Sequence, residues 1–180
     1  MKKLKKNLAN ILTMIRIAIS LYLLSFSSIT KQYLLFFGFA GLTDVLDGPI
    51  ARKTKSVSLL GSQLDTIADL VMFSSIIKIY IKLRLLKKRH WMMIIAGVIM
   101  LVSSLVIGFV KFKKLVFIHT ISGKLLGFCT FLLPYAYVAN VSGVMTTIAC
   151  ILLVITTLES LVIQIKSSEP MPNAKSMFSV

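Results

Sequence analysis

The sequence predicts an all-α integral membrane protein, a bundle of six transmembrane helices with a short basic N-terminal lead-in. Three observations carry this expectation. Of 180 residues, 57% are hydrophobic and only 15% are charged, whereas a soluble domain is about a quarter charged. Apolar stretches of bilayer-spanning length recur along the whole chain. They are continuous, without the alternation over about ten residues that marks the strand of a membrane barrel.

The first segment, residues 8–28, follows Lys2, Lys3, Lys5 and Lys6. A signal peptide starts in a similar way, but Arg16 interrupts the apolar run, so the segment reads as a retained helix. The remaining segments cover residues 32–52, 58–82, 91–110, 116–139 and 142–165. At a rise of about 1.5 Å per residue, each is long enough to cross a hydrocarbon core of about 30 Å. The connectors at 53–57, 111–115 and 140–143 are short. Pro49 reads as a local kink in the second segment. Residues 1–166 form one membrane domain in this reading, and 167–180 form a flexible C-terminal tail. Cys129 and Cys150 lie in apolar runs without metal-type spacing and read as small buried side chains.

The net charge is +15, from 21 Lys and Arg against 6 Asp and Glu. In a membrane chain such an excess belongs first to cytoplasmic loops and acidic lipid headgroups, not to nucleic acid. With the N-terminus inside, the inner regions collect twelve cations and the outer regions six, which puts both termini in the cytoplasm. The cluster Lys82–Arg89 falls on the outer side. It either extends the third helix beyond the membrane or binds lipid there.

The acidic residues are more informative because they are few. The four Asp residues of the chain, Asp44, Asp47, Asp65 and Asp69, fall within 26 positions, inside or at the edge of apolar segments. A carboxylate in a membrane helix costs at least a few kcal/mol unless compensated, and four crowded together repel one another. A divalent cation such as Mg²⁺ or Mn²⁺ resolves both problems, because hard cations prefer oxygen ligands. Asp44 and Asp47 are three apart and Asp65 and Asp69 four apart, so each pair shares a helix face. Both pairs sit at the connector-side ends of consecutive, antiparallel segments, so all four can converge near the cytoplasmic surface. Gly48, Gly61 and Ala51 leave room for a close approach, and Arg52 offers a fork suited to phosphate.

Read together, the segment is Asp44-x2-Asp47-Gly48-x2-Ala51-Arg52-x8-Gly61-x3-Asp65-x3-Asp69. It resembles the signature of the CDP-alcohol phosphatidyltransferase family at every defined position. Asn10, Thr13 and Arg16 are similar to an N-terminal segment of bacterial phosphatidylglycerophosphate synthases within that family. The resemblance implies a homodimer of six-helix bundles in the bacterial cell membrane, with two divalent metals in a cavity open to the cytoplasm. It implies that the four Asp residues hold the metals and that Asp69 is the general base, with Asp65 beside it in the catalytic set. It assigns Asp44, Gly48, Ala51, Arg52 and Gly61 to the CDP moiety. The implied reaction takes a phosphatidyl group from CDP-diacylglycerol to a small polar alcohol and releases CMP. The chemistry suits the residues, because metal ions bridge diphosphate oxygens and a carboxylate can take the acceptor proton.

An anionic acceptor, glycerol 3-phosphate, needs cations, and Arg16, Lys111, Lys113, Lys114 and Lys124 are the candidates. The stretch Thr120-Ile-Ser122-Gly123-Lys124 is similar to the opening of the fifth helix in glycerophosphate-type members. Phe73-Ser74-Ser75 departs from the Ser-Phe-Gly run of serine-using members, so glycerol 3-phosphate ranks above serine and inositol phosphate. His119 is a candidate at one remove from the site. Glu159, an ionisable group inside an apolar segment, is expected to pair with a Lys and to stand apart from the metals. From a different class, a small membrane cation transporter also carries buried carboxylates. It has no use for the Gly-x2-Ala-Arg insert, and one-sided clustering gives an ion no path across a bilayer.

Overall fold

The computed structural model describes residues 14–53, 59–113, 118, 120–167, 169 and 176, and the side chains of 44–67 lie outside that description. The described residues form six helices and no strand: α1 (Met14–Leu23), α2 (Lys31–Lys53), α3 (Leu59–Lys82), α4 (Lys88–Phe112), α5 (Ile121–Val138) and α6 (Ser142–Lys166). They divide into two compact units, Met1–Leu85 and Leu86–Val180. Helices α4, α5 and α6 are each long and apolar enough to cross a membrane. Helices α2 and α3, with 23 and 24 residues, are of spanning length.

In the first unit each helix buries one stripe. Arg16, Ser20 and Leu23 are buried on α1; Tyr33, Phe37 and Ala40 on α2; Ala68, Met72, Ile76 and Ile79 on α3. The intervals of three and four residues are those of one helix face. Ser75 Oγ donates to the Met72 carbonyl at 2.7 Å, which leaves Tyr33 Oη to donate to Ser75 Oγ at 2.8 Å and so tie α2 to α3. An edge-to-face array of Tyr22, Phe26, Phe36 and Tyr33, with centroids 5.2–5.7 Å apart, packs the turn between α1 and α2.

Helix α1 ends at Leu23, five residues before the expected end at 28. The backbone tightens to i−3 bonds at Leu24, Ser25 and Phe26, and Ser25 Oγ donates to the Tyr22 carbonyl. Serine competes with the helix ladder in this way. Thr30 then starts α2, accepting the Tyr33 N–H on its Oγ1 at 3.1 Å. Helix α2 continues through Pro49.

The second unit is built around α6, which packs against both α4 and α5. The buried face of α4 is His90, Gly97, Ser104 and Gly108, and that of α6 includes Thr146, Ala149, Cys150, Thr157, Ser160 and Gln164. Small and hydroxyl side chains let helix backbones approach closely, as membrane helix pairs require. The outer surface is the apolar one. Ile99, Val102, Val106, Phe109 and Val110 on α4 are all more than half exposed. A soluble protein would reverse this arrangement, but lipid as solvent favours it.

The turns correct two further expectations. Arg84 adopts φ 54°, the Arg84 N–H reaches the Ile81 carbonyl and the Leu85 N–H reaches the Tyr80 carbonyl. This is a Schellman close, with a left-handed residue ending α3. The cluster Lys82–Arg89 therefore does not extend α3: it divides between this turn and the first turn of α4. Asn140, at φ 58°, closes α5 in the same way. Thr120 caps α5 by accepting the Gly123 N–H at 3.2 Å, so that helix begins at 121 and not at 116. Cys150 is buried as expected, whereas Cys129 is only half-buried.

Candidate active site

The carboxylates are placed by two helices. Positions 44 and 47 lie in α2, and positions 65 and 69 lie in α3. The side chains of Asp44, Asp47, Gly48, Ala51, Arg52, Gly61 and Asp65 lie outside the described residues. Asp69 is described, on α3 beside the fully buried Ala68. Its Oδ1 faces Nη1 of Arg16 on α1 at 3.5 Å, with Arg16 fully buried and Asp69 37% exposed. Two residues 53 positions apart thus meet, one from the N-terminal segment and one from the aspartate set.

The other cations are placed differently. The Lys111 ammonium donates to the carbonyls of Ile165 and Gln164, at 2.8 and 3.3 Å. These belong to the last turn of α6, where helix carbonyls have no partner of their own and the dipole favours a cation. Lys113 takes φ 56° just past the end of α4 and is exposed. Lys124 is exposed on the first turn of α5. Lys114 and His119 lie outside the described residues.

Glu159 departs from its expected pairing. Its carboxylate accepts a short hydrogen bond from Ser122 Oγ, not from a lysine. Ser122 Oγ also pairs with Thr120 Oγ1 at 2.8 Å and accepts from Thr156 Oγ1 at 3.1 Å. The result is a network of three hydroxyls and one carboxylate joining the start of α5 to α6. A half-buried carboxylate in a membrane helix finds compensation there without a cation. Sequence spacing held no signal for this, because Ser122 and Glu159 are 37 residues apart. Lys78 is a second residue that sequence reasoning passed over. Its Nζ donates to the Leu24 carbonyl at 2.6 Å and closes the end of α1.

The donor chemistry of positions 44, 47, 65 and 69 is all carboxylate, which suits a hard divalent cation and not a thiophilic one. Among the described residues no group of three or more His, Cys, Asp or Glu side chains gathers.

Comparison with known proteins converges on the same segment. Residues 6–158 match the family model of the CDP-alcohol phosphatidyltransferases. Two relatives named CDP-diacylglycerol–glycerol-3-phosphate 3-phosphatidyltransferase, from Rickettsia felis and Rickettsia prowazekii, are 34% and 33% identical over 139 residues. In each case the alignment covers 74% of both chains. No solved structure matches. The matched span contains the whole aspartate signature, Arg16 and the spanning helices α4 and α5, and the chain belongs to the CDP-alcohol phosphatidyltransferase family of integral membrane enzymes.

Proposed function

We propose that this chain transfers the phosphatidyl group of CDP-diacylglycerol to glycerol 3-phosphate, releasing CMP, in phospholipid synthesis. One observation carries the reading: four aspartates at the family's spacing on two successive helices. Family membership and the two Rickettsia relatives named for glycerol 3-phosphate support it. The positive-inside bias supports a cytoplasmic active site, and the Rickettsia relatives support a bacterial membrane. A homodimer completes the proposal.

The family is in general dependent on divalent metal. In this chain Asp44, Asp47, Asp65 and Asp69 would hold two Mg²⁺ or Mn²⁺ ions, which when bound neutralise the diphosphate and improve CMP as a leaving group. Arg52 binds phosphate oxygens of the nucleotide, and Gly48, Ala51 and Gly61 leave space for the CDP moiety. Asp69 takes the proton of the acceptor hydroxyl as its oxygen attacks the β-phosphorus of the diphosphate, on the diacylglycerol side. Its partial exposure, 37%, leaves the carboxylate reachable by a polar acceptor.

The test is CMP release by purified protein given CDP-diacylglycerol, Mg²⁺ or Mn²⁺, and each of glycerol 3-phosphate, serine and inositol phosphate in turn. Release with glycerol 3-phosphate alone is expected. Asp69→Asn should abolish turnover without loss of the folded state; retained turnover in that variant would remove its assignment as base.

A further inference from the structure

Arg16 is one of the cations expected to meet an anionic acceptor, but its surroundings fit another task. The side chain is fully buried on α1, and its guanidinium faces Asp69 Oδ1 at 3.5 Å. A buried arginine in a membrane helix is costly unless an anion or acceptor compensates it. A solute that reached for Arg16 would meet no exposed surface of it. Asp69 is the reverse, 37% exposed. A fully buried cation thus faces a partly exposed carboxylate.

We propose that Arg16 is a positioning residue, whose guanidinium on α1 orients the Asp69 carboxylate on α3 toward the acceptor hydroxyl and does not itself contact the acceptor. The inference rests on the assignment of Asp69 as the base. A carboxylate turns freely about its last torsion unless something fixes it. A planar, permanently charged fork fixes the carboxylate plane better than an ammonium does. Proton transfer needs that orientation, since misplacing a reacting group by about 1 Å can cost about a hundredfold in rate. Ser20, one turn further along the same buried face, gives a control. Its Oγ is buried and has no hydrogen-bond partner among the described residues.

The experiment compares full-length wild type, Arg16→Gln, Arg16→Lys and Ser20→Ala in mild detergent, with CMP release followed as glycerol 3-phosphate is varied. Arg16→Gln is expected to lower kcat by about a hundredfold, with KM for glycerol 3-phosphate changed by less than about threefold. Arg16→Lys should recover part of kcat, and Ser20→Ala should behave as wild type. A KM raised about tenfold or more with kcat retained would overturn the proposal and return Arg16 to the acceptor. Should Arg16→Gln not fold, Arg16→Lys decides by the same split between kcat and KM. A second readout needs no turnover: melting of Arg16→Gln, Asp69→Asn and the double variant. Coupled losses are expected, and strictly additive ones overturn the pairing. If the wild type releases no CMP from any acceptor, the reading of function fails while the melting cycle still judges the pair.

Discussion

Replacing Gly97 with alanine tests how the second unit is held together. A Cβ at position 97 would lie 2.9 Å from Leu153 Cγ and 3.1 Å from its Cδ2. Carbon atoms pack best at about 3.5–4.0 Å, so the overlap is about half an ångström or more. Cγ is the branch point of leucine, so turning only the terminal methyls does not relieve the nearest contact. The helices cannot simply slide either, because Ser104 and Gly108 are buried on the same face of α4. At Gly108 a Cβ would meet the Gln164 amide at 2.6 Å. Overpacking of this kind costs about 1–3 kcal/mol. The assay is unfolding of the purified protein in mild detergent, followed by far-ultraviolet circular dichroism. Gly97→Ala should lower stability by that amount. Leu153→Ala removes the obstacle, so the double variant should lose less than the sum of the singles, with a coupling of about 1 kcal/mol. A neutral Gly97→Ala, or additive losses, would refute close contact between α4 and α6 at this level.

Other predictions follow from the ends of helices and from the polar networks. Arg84→Gly removes the Cβ strain of a left-handed residue whose side chain is exposed, and should raise the melting midpoint through a gain of about 0.5–1 kcal/mol; an unchanged or lower midpoint would contradict the Schellman close. Glu159→Gln keeps an acceptor oxygen for Ser122 and should stay close to wild-type stability. Glu159→Leu strands the hydroxyl network and should cost about 1–3 kcal/mol by the same unfolding assay. Chelation by EDTA should stop CMP release, and added Mg²⁺ or Mn²⁺ should restore it; turnover that persists in excess EDTA would remove the metal from the proposed mechanism.

Helix existence was legible because lipid demands long apolar runs, and the chain supplies them. Helix ends were not, because hydropathy does not see a cap. Thr30 and Thr120 start α2 and α5 through one hydroxyl each. Both signals stood in the sequence as a single threonine, a residue to which hydropathy gives no weight as a boundary. The end of α1 at Leu23 is set by Ser25 and by three tightened backbone bonds, in a stretch that hydropathy alone keeps helical. The aspartate spacing was legible because i+3 and i+4 intervals specify a helix face without any tertiary knowledge. The meeting of Arg16 with Asp69 was not, since α1 and α3 are brought together by packing across 53 residues. Charge alone suggests a lysine partner for Glu159. In the fold, hydroxyls at the start of α5 were nearer.

The lysines and arginines show why a list of basic residues overstates the number of anion sites. Each helix end presents carbonyls that have no partner within the helix. A lysine is suited to that task, because a compact ammonium on a flexible stem can serve two carbonyls and also complements the helix dipole. Lys111 does this for α6 and Lys78 does it for α1. Arg16 faces a carboxylate, where a fixed fork outperforms a point charge. The partner, not the charge, decides what each cation does. Of the candidates first grouped for an anionic acceptor, Lys124 is exposed, and its ammonium makes no hydrogen bond among the described residues. A phosphate arriving at Lys111 would have to displace two helix carbonyls, whereas one arriving at Lys124 would displace only solvent. That difference makes Lys124 the more accessible of these two ammonium groups to an anion.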